Sequence, residues 1–118
     1  MPSYTLHAPA GNFRAFSALI AAEYNGIDVV VNTDNLAKAA AASPTGKTPV
    51  LEIKSNTTDV VFSSHAIARY LGGLRRDTNL LGTSLTSCAM VDAWMDFSAT
   101  QLELPACVWY YPVRLCGV

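Results

Sequence analysis

Several function classes are removed by what this chain does not contain. There is no Cys-x-x-Cys pair: the three cysteines, Cys88, Cys107 and Cys116, are odd in number and widely separated. That pattern argues against a vicinal dithiol redox centre and for a reducing compartment. The two histidines, His7 and His65, stand at no metal-ligand spacing from the cysteines, so no metal site is expected. Charge is scarce. Charged residues make up 14% of the 118, with 8 Lys and Arg against 9 Asp and Glu, which leaves no basic patch for direct nucleic-acid binding. No apolar run approaches the roughly 20 residues that span a bilayer, so membrane insertion is not expected. Tyr4-Thr5-Leu6-His7 is strand-like and starts within a few residues of Met1, so no secretory leader is expected. The expected location is the cytoplasm; an organelle would require a presequence already removed.

What is present is apolar. Hydrophobic residues make up 51% of the chain, high for a soluble monomer of one domain's length, so part of the surface is expected to meet a partner. Tyr4–His7 predicts a strand. Asn12 is suited to cap a helix from Phe13 to Glu23, where Phe13, Phe16, Leu19, Ile20 and Tyr24 recur at helical spacing and Asn25-Gly26 supplies a left-handed stop. Ile27–Val31 is β-branched apart from Asp28 and is read as a parallel strand covered on both faces. Residues 32–43 hold helix formers but almost no large apolar residue, which predicts a short, loosely held helix. Residues 49–54 and 60–62 predict an antiparallel hairpin across Ser55–Asp59.

A helix from Ser64 to Leu71 should stop at Gly72-Gly73 and close a first lobe over residues 1–73. A polar linker, residues 74–83, contains Arg75-Arg76-Asp77-Thr78-Asn79 and reads as a solvated connection. In the second segment, residues 84–118, Leu85, Cys88, Val91, Met95, Phe97 and Leu102 form an apolar stripe. It predicts a long helix from Ser84, bent or ended at Pro105. Trp109-Tyr110-Tyr111 is expected to pack against protein rather than stack on bases, because only Arg114 accompanies it. His7 and His65 read as hydrogen-bonded or exposed rather than as bases, since no nucleophile is placed beside them.

The most informative stretch is Ser43-Pro44-Thr45-Gly46-Lys47-Thr48-Pro49-Val50-Leu51. Proline cannot donate to a sheet ladder, so at a strand's first position Pro49 marks an edge, a bulge or a cis bond. Further on, Val60-Val61-Phe62 runs straight into Ser63-Ser64-His65-Ala66-Ile67-Ala68-Arg69-Tyr70-Leu71, a strand leading into a serine-capped amphipathic helix. Together these pieces resemble the glutathione-binding half of the thioredoxin-like domain of glutathione transferases. The resemblance narrows to the transferase-like domain of elongation factor 1 gamma subunits. It is carried there by Ala18-Leu19-Ile20-Ala21-Ala22-Glu23-Tyr24, Pro44-x-Gly46-Lys47-x-Pro49-Val50-Leu51-Glu52, Phe62-x-Ser64-x-Ala66-Ile67-Ala68-Arg69-Tyr70, Trp94-x-x-Phe97-Ser98 and Trp109-x-x-Pro112. Similar domains are appended to several aminoacyl-tRNA synthetases. The fold implied is α/β: a thioredoxin-like lobe in the order βαβ, α, ββα, followed by the start of an all-α lobe, here truncated.

The resemblance also places a degenerate glutathione site. Thr48 would present its backbone to the cysteinyl unit beside a cis Pro49, and Ser63-Ser64 stands where the family holds the γ-glutamyl end with Glu-Ser. Ser63 in place of the glutamate removes an ion pair. Where transferases set a Ser, Cys or Tyr for the thiolate, the chain offers Asn12, a poor substitute. No catalytic residue is therefore assigned, and glutathione is at most a weak ligand. The function implied is a non-catalytic interaction module docking protein partners in a translation-associated complex, either other elongation factor subunits or an aminoacyl-tRNA synthetase. Faces used for dimerisation in transferases put Tyr70, Leu71, Met90, Trp94 and Phe97 at the interface, where a homodimer is an alternative occupant. Two rival functions stay open: a glutathione transferase acting on electrophiles, and a structural accessory subunit of a large assembly.

Overall fold

A computed structural model describes residues 1–116, with side chains through Tyr110. Gly117-Val118 and the side chains of Tyr111, Pro112, Arg114 and Cys116, which the expected tail included, lie outside the described residues. The chain divides into two units, Met1–Leu80 and Leu81–Val118.

In the first unit, β1 (Ser3–His7) pairs in parallel with β2 (Val29–Asn32) and antiparallel with β3 (Val50–Lys54), and β3 pairs antiparallel with β4 (Thr58–Phe62). The strand order is β2-β1-β3-β4, the mixed sheet of a thioredoxin-like lobe. The expectation of a strand covered on both faces is corrected: β2 lies at the sheet edge, with Val30 66% and Val31 42% exposed. A β-branched run favours a strand but carries no information on how many neighbours the topology supplies.

Between β1 and β2, the Asn12 Oδ1 accepts from the Arg14 N–H at 3.0 Å. It opens a 3-10 turn over Phe13–Ala15 that leads into α1 (Phe16–Asn25). The helix turns its small residues inward. Ala15, Ala18 and Ala22 are buried, whereas Phe16, Ile20 and Tyr24 are 50%, 66% and 64% exposed. The apolar spacing in the sequence is thus helical, but half of it faces away from the core. Small side chains allow α1 a close approach to its neighbours, which leaves the bulky ones outside. Gly26, at φ 64°, ends the helix in the left-handed conformation and donates its N–H to the Ala22 and Glu23 carbonyls.

After β2 comes α2 (Leu36–Ala41), a short helix with no buried residue, as its alanine-rich composition predicts. The hairpin of β3 and β4 leads into α3 (Ser64–Gly73), which runs through Gly72 and Gly73 instead of stopping before them. Asn25, 1% exposed, accounts for this. Its Nδ2 donates to the carbonyls of Leu71 at 2.8 Å and Gly72 at 3.0 Å, giving partners to acceptors that a helix end otherwise leaves unmet. Its Oδ1 accepts from the Thr78 hydroxyl at 2.5 Å, and its backbone carbonyl accepts from Arg75 Nη1 at 3.2 Å.

The core lies on one face of the sheet. Leu6, Leu51 and Ile53 pack with Ala15, Ala18 and Ala22 and with Ile67 and Leu71 of α3. Leu71, expected at an interface, is fully buried. It follows Ile67 by one helical turn, on the inward stripe, and has no surface to offer a partner.

In the second unit, Ser84 caps α4 (Leu85–Phe97) reciprocally with Ser87: the Ser87 N–H donates to Ser84 Oγ at 3.1 Å and the Ser84 N–H to Ser87 Oγ at 2.8 Å. A π-helical stretch, Ser98–Glu103, joins it to α5 (Leu104–Cys116). Pro105 therefore does not end the helical path. It sits in the first turn of α5, where a missing N–H costs little, and the wider π turn precedes it. The expected apolar stripe is only partly covered: Cys88 is half-buried, while Leu85, Phe97 and Leu102 are exposed.

Replacing Asn25 by Ala strips two donors from buried carbonyls and a partner from Thr78. Urea unfolding of Asn25→Ala should show a loss of about 2–3 kcal/mol. A loss under about 0.5 kcal/mol, the usual scale for surface changes, would mean that this junction contributes little.

Candidate functional site

Three segments meet at one end of the sheet. β1 ends at His7 opposite Val50, which opens β3, and Val50 lies opposite Phe62, which closes β4. The loop carrying Asn12, the Thr48-Pro49 pair and Ser63-Ser64 all leave the sheet at that end. The approach to Thr48 is built locally. Ser43 is buried, its Oγ lies 2.8 Å from Thr45 Oγ1, and its carbonyl accepts from the Gly46 N–H at 3.0 Å. The Thr48-Pro49 peptide is cis.

Ser63 links β4 to α3 at φ 75° and ψ 127°, in the left-handed region that non-glycine residues seldom occupy. It holds the N-cap position, yet its hydroxyl makes no capping hydrogen bond; only its carbonyl is engaged, by the Ile67 N–H at 3.0 Å. The serine cap expected at Ser64 is corrected: the helix already begins there, and Ser63 takes the N-cap position without a side-chain capping hydrogen bond. Ser64 is the first residue of α3. An uncapped helix start favours an anion such as a carboxylate.

Chemically the place is bare. Asn12 commits its side-chain oxygen to the Arg14 N–H, so it serves as a cap. Asn12, Thr48, Pro49, Ser63 and Ser64 together hold no carboxylate for an ammonium group, and position 12 carries no hydroxyl for a thiolate. The arrangement offers backbone and hydroxyl hydrogen bonds and a helix start.

On the sheet face opposite the core, a cleft of about 400 Å³ opens beneath α2, lined by His7, Asp34, Lys38, Glu52 and Lys54 among others. Glu52 bridges two partners: its Oε2 lies 2.9 Å from His7 Nε2 and its Oε1 lies 3.0 Å from Lys54 Nζ. The His7 hydrogen bond, followed by that of Lys54, holds the Glu52 carboxyl below its ordinary pKa. His7 Nδ1 is buried with no hydrogen-bond partner among the described residues. Sequence reasoning expected His7 to be hydrogen-bonded or exposed but missed Glu52 as its partner. The available signal was the alternation of Glu52 and Lys54 with buried Leu51 and Ile53; the missing information was the register of β1 on β3.

The expected interface residues divide between the units. In the first, Tyr70 is half-buried with its ring edge-on to Tyr4 at 6.2 Å. Burial, with Tyr4 adding to it, pushes the Tyr70 hydroxyl pKa up. In the second, Met90, Trp94 and Phe97 are 55%, 65% and 44% exposed, and the Trp94 and Phe97 rings meet at 5.6 Å and 77°. Among the described residues no group of three or more His, Cys, Asp or Glu could hold a metal ion, and no helix is long and apolar enough to cross a membrane.

Residues 15–74 match the family profile described as the glutathione S-transferase N-terminal domain. The chain belongs to that family. It is 40% identical over 114 residues to elongation factor 1-gamma 3 of Oryza sativa subsp. japonica, covering 91% of this chain and 27% of that protein. It is 32% identical over 122 residues to elongation factor 1-gamma of Homo sapiens, covering 95% of this chain and 26% of that protein. The chain thus spans about a quarter of the length of the curated relatives it matches. Among solved structures, a glutathione transferase homologue from Sulfitobacter with bound glutathione superposes at a TM-score of 0.76 with 20% identity, over 97% of this chain and 57% of that one. A theta class glutathione S-transferase from Xanthomonas axonopodis pv. citri gives 0.72 and 24%, over 87% and 51%. At these identities the two structures bear on the fold.

The Glu52 pair yields a signed pH dependence. Its carboxyl has a lower pKa folded than the ordinary value of 4.5, so its contribution is full above that value and is lost as pH falls through the folded-state pKa. Glu52→Gln should lower stability at neutral pH by about 0.5–1 kcal/mol and make the acid limb of thermal unfolding shallower. Identical acid limbs for the two proteins would show that the pair contributes nothing.

Proposed function

We propose that this chain is a non-catalytic docking domain of the elongation factor 1 gamma type, joining protein partners in a cytoplasmic translation-elongation assembly. The observation that carries this reading is the 40% identity to elongation factor 1-gamma 3 over 91% of the chain. The geometry supports it from the other side. At the sheet end where a transferase binds its thiol, no carboxylate and no thiolate-stabilising hydroxyl stands at Ser63 or Asn12. Meanwhile Met90, Trp94 and Phe97 expose apolar and aromatic area, the composition of an interface centre. The partners favoured are other elongation factor 1 subunits.

Trp94→Ala and Phe97→Ala test the surface. Titrated against purified elongation factor 1 subunits, each variant should bind about 30-fold more weakly or worse, the scale of a central aromatic anchor. Unchanged affinity would move the interface elsewhere. Failure of the parent chain to bind any of these subunits would overturn the docking reading.

A separate measurement addresses the thiol site. If Ser63 occupies the γ-glutamyl contact, Ser63→Glu restores a charge-assisted hydrogen bond, and calorimetric titration should show glutathione binding tightened by about 10-fold or more. No change would mean that position 63 does not face that end of the ligand.

A further inference from the structure

We propose that Thr78 is a phosphorylation site for an arginine-directed serine/threonine kinase, and that its modification releases the Asn25 junction between α1 and α3. The segment Arg75-Arg76-Asp77-Thr78 sets two guanidinium groups three and two residues before a hydroxyl. A kinase with acidic pockets in its peptide groove reads that spacing by ion pairing. Arg75, Arg76, Asp77 and Asn79 are exposed and Thr78 is half-buried, so the recognition charges stand outside while the acceptor oxygen is turned inward. Asn79, at φ 55°, closes the turn by donating its N–H to the Arg76 carbonyl at 3.2 Å.

The hydroxyl is a structural donor. It gives its proton to Asn25 Oδ1 at 2.5 Å and lies 3.3 Å from the Arg75 carbonyl. In the reaction Thr78 Oγ1 forms a bond to the γ-phosphorus of ATP, the bond from that phosphorus to the β-bridging oxygen breaks to release ADP, and the hydroxyl proton leaves to the kinase's base. The product oxygen is an ester and donates nothing. Asn25 Oδ1 is then buried against an acceptor carrying nearly two negative charges.

Arg75 is the second lever. Its Nε donates to Asp77 Oδ1 at 3.0 Å, its Nη2 pairs with Asp77 Oδ2, and its Nη1 reaches the Asn25 carbonyl at 3.2 Å. A phosphate three residues on outbids a single carboxylate for this guanidinium and draws it off Asn25. Two of the four groups that hold Asn25 are lost in one event, and only the bonds to the Leu71 and Gly72 carbonyls remain. Because the hydroxyl is engaged at rest, the kinase acts on the fraction of molecules in which the 75–79 turn is open. Asp77, which restrains Arg75, slows that opening.

The test uses the whole 118-residue chain, a purified arginine-directed kinase catalytic domain, MgATP and phosphopeptide mass spectrometry. Phosphate should appear on Thr78, and Arg76→Ala, which alters only an exposed side chain, should cut the initial rate at least 10-fold. Asp77→Ala should raise the rate. The fully modified chain should melt about 4–8 °C lower, the shift that follows from losing roughly one net hydrogen bond in a domain of this size. Backbone amides near residues 25–27 and 71–74 should exchange faster. Phosphate confined to Ser17, which follows Arg14 by three residues, would overturn the site. So would a rate on Thr78 indifferent to Arg76→Ala. An unchanged melting temperature at full modification would overturn the release.

Discussion

One buried amide, that of Asn25, sets how the first unit closes. The sheet has a core on a single face, so its stability rests on α1 and α3 staying packed together against Leu6, Leu51 and Ile53. Their C-termini meet at Asn25, where hydrogen bonds reach the last turn of α3 and the segment after it. A buried amide left unmet would cost about 1–3 kcal/mol for each orphaned group. Satisfied on both its oxygen and its nitrogen, it gains a modest net energy and a large specificity, because no other residue type of that size donates and accepts in these directions. The continuation of α3 through two glycines follows from this contact rather than from helix propensity, which disfavours them.

Packing distance explains the rest of α1. The apolar α1 residues fully buried in the core are alanines, with Leu19 packed against its margin, and Phe16, Ile20 and Tyr24 point outward. From the sequence, the helical period was legible and the choice of face was not, since both faces are apolar and nothing local states how near the neighbouring helix comes. The same limit applies to β2. Its β-branched composition identified a strand, but its place at the edge depends on pairings made by β1 and β3. Elements with a strong local signature were readable: the hairpin of β3 and β4, the left-handed stop at Gly26, the short α2, the helix start near Ser84. The cap read at Ser64 failed because the helix begins one residue earlier than a cap there requires, which leaves Ser63, at φ 75°, in the N-cap position.

The candidate site was legible in position and misread in one detail. Thr48-Pro49 and Ser63-Ser64 do converge with the Asn12 loop at one end of the sheet, through the antiparallel register of β3 with β1 and β4. What the convergence offers was readable only as a list of residue types, and that list lacks a carboxylate. Backbone shape and side-chain chemistry are separable here: the turn and the strand-to-helix corner follow from packing and register, whereas none of these side chains supplies a carboxylate. By contrast, the His7, Glu52 and Lys54 cluster is a product of register, and no spacing along the chain announces it.

The distribution of apolar surface carries the last step. Helices in water are stabilised chiefly by burying one face rather than by propensity, yet no described side chain between residues 81 and 110 is fully buried. Trp94, Leu102, Leu104, Val108 and Trp109 are all more than half exposed. Burial of apolar area returns about 25 cal/mol per Å² before association costs are subtracted, so a partner covering a face of about 800 Å² of ordinary composition has ample driving force for a specific complex. Charge cannot supply that force in a chain with a formal net charge of −1. Under the docking proposal, a partner of the second unit would be held by shape and apolar contact, with the paired rings of Trp94 and Phe97 at the centre. A complex built that way should be insensitive to salt, in contrast to one steered by charge.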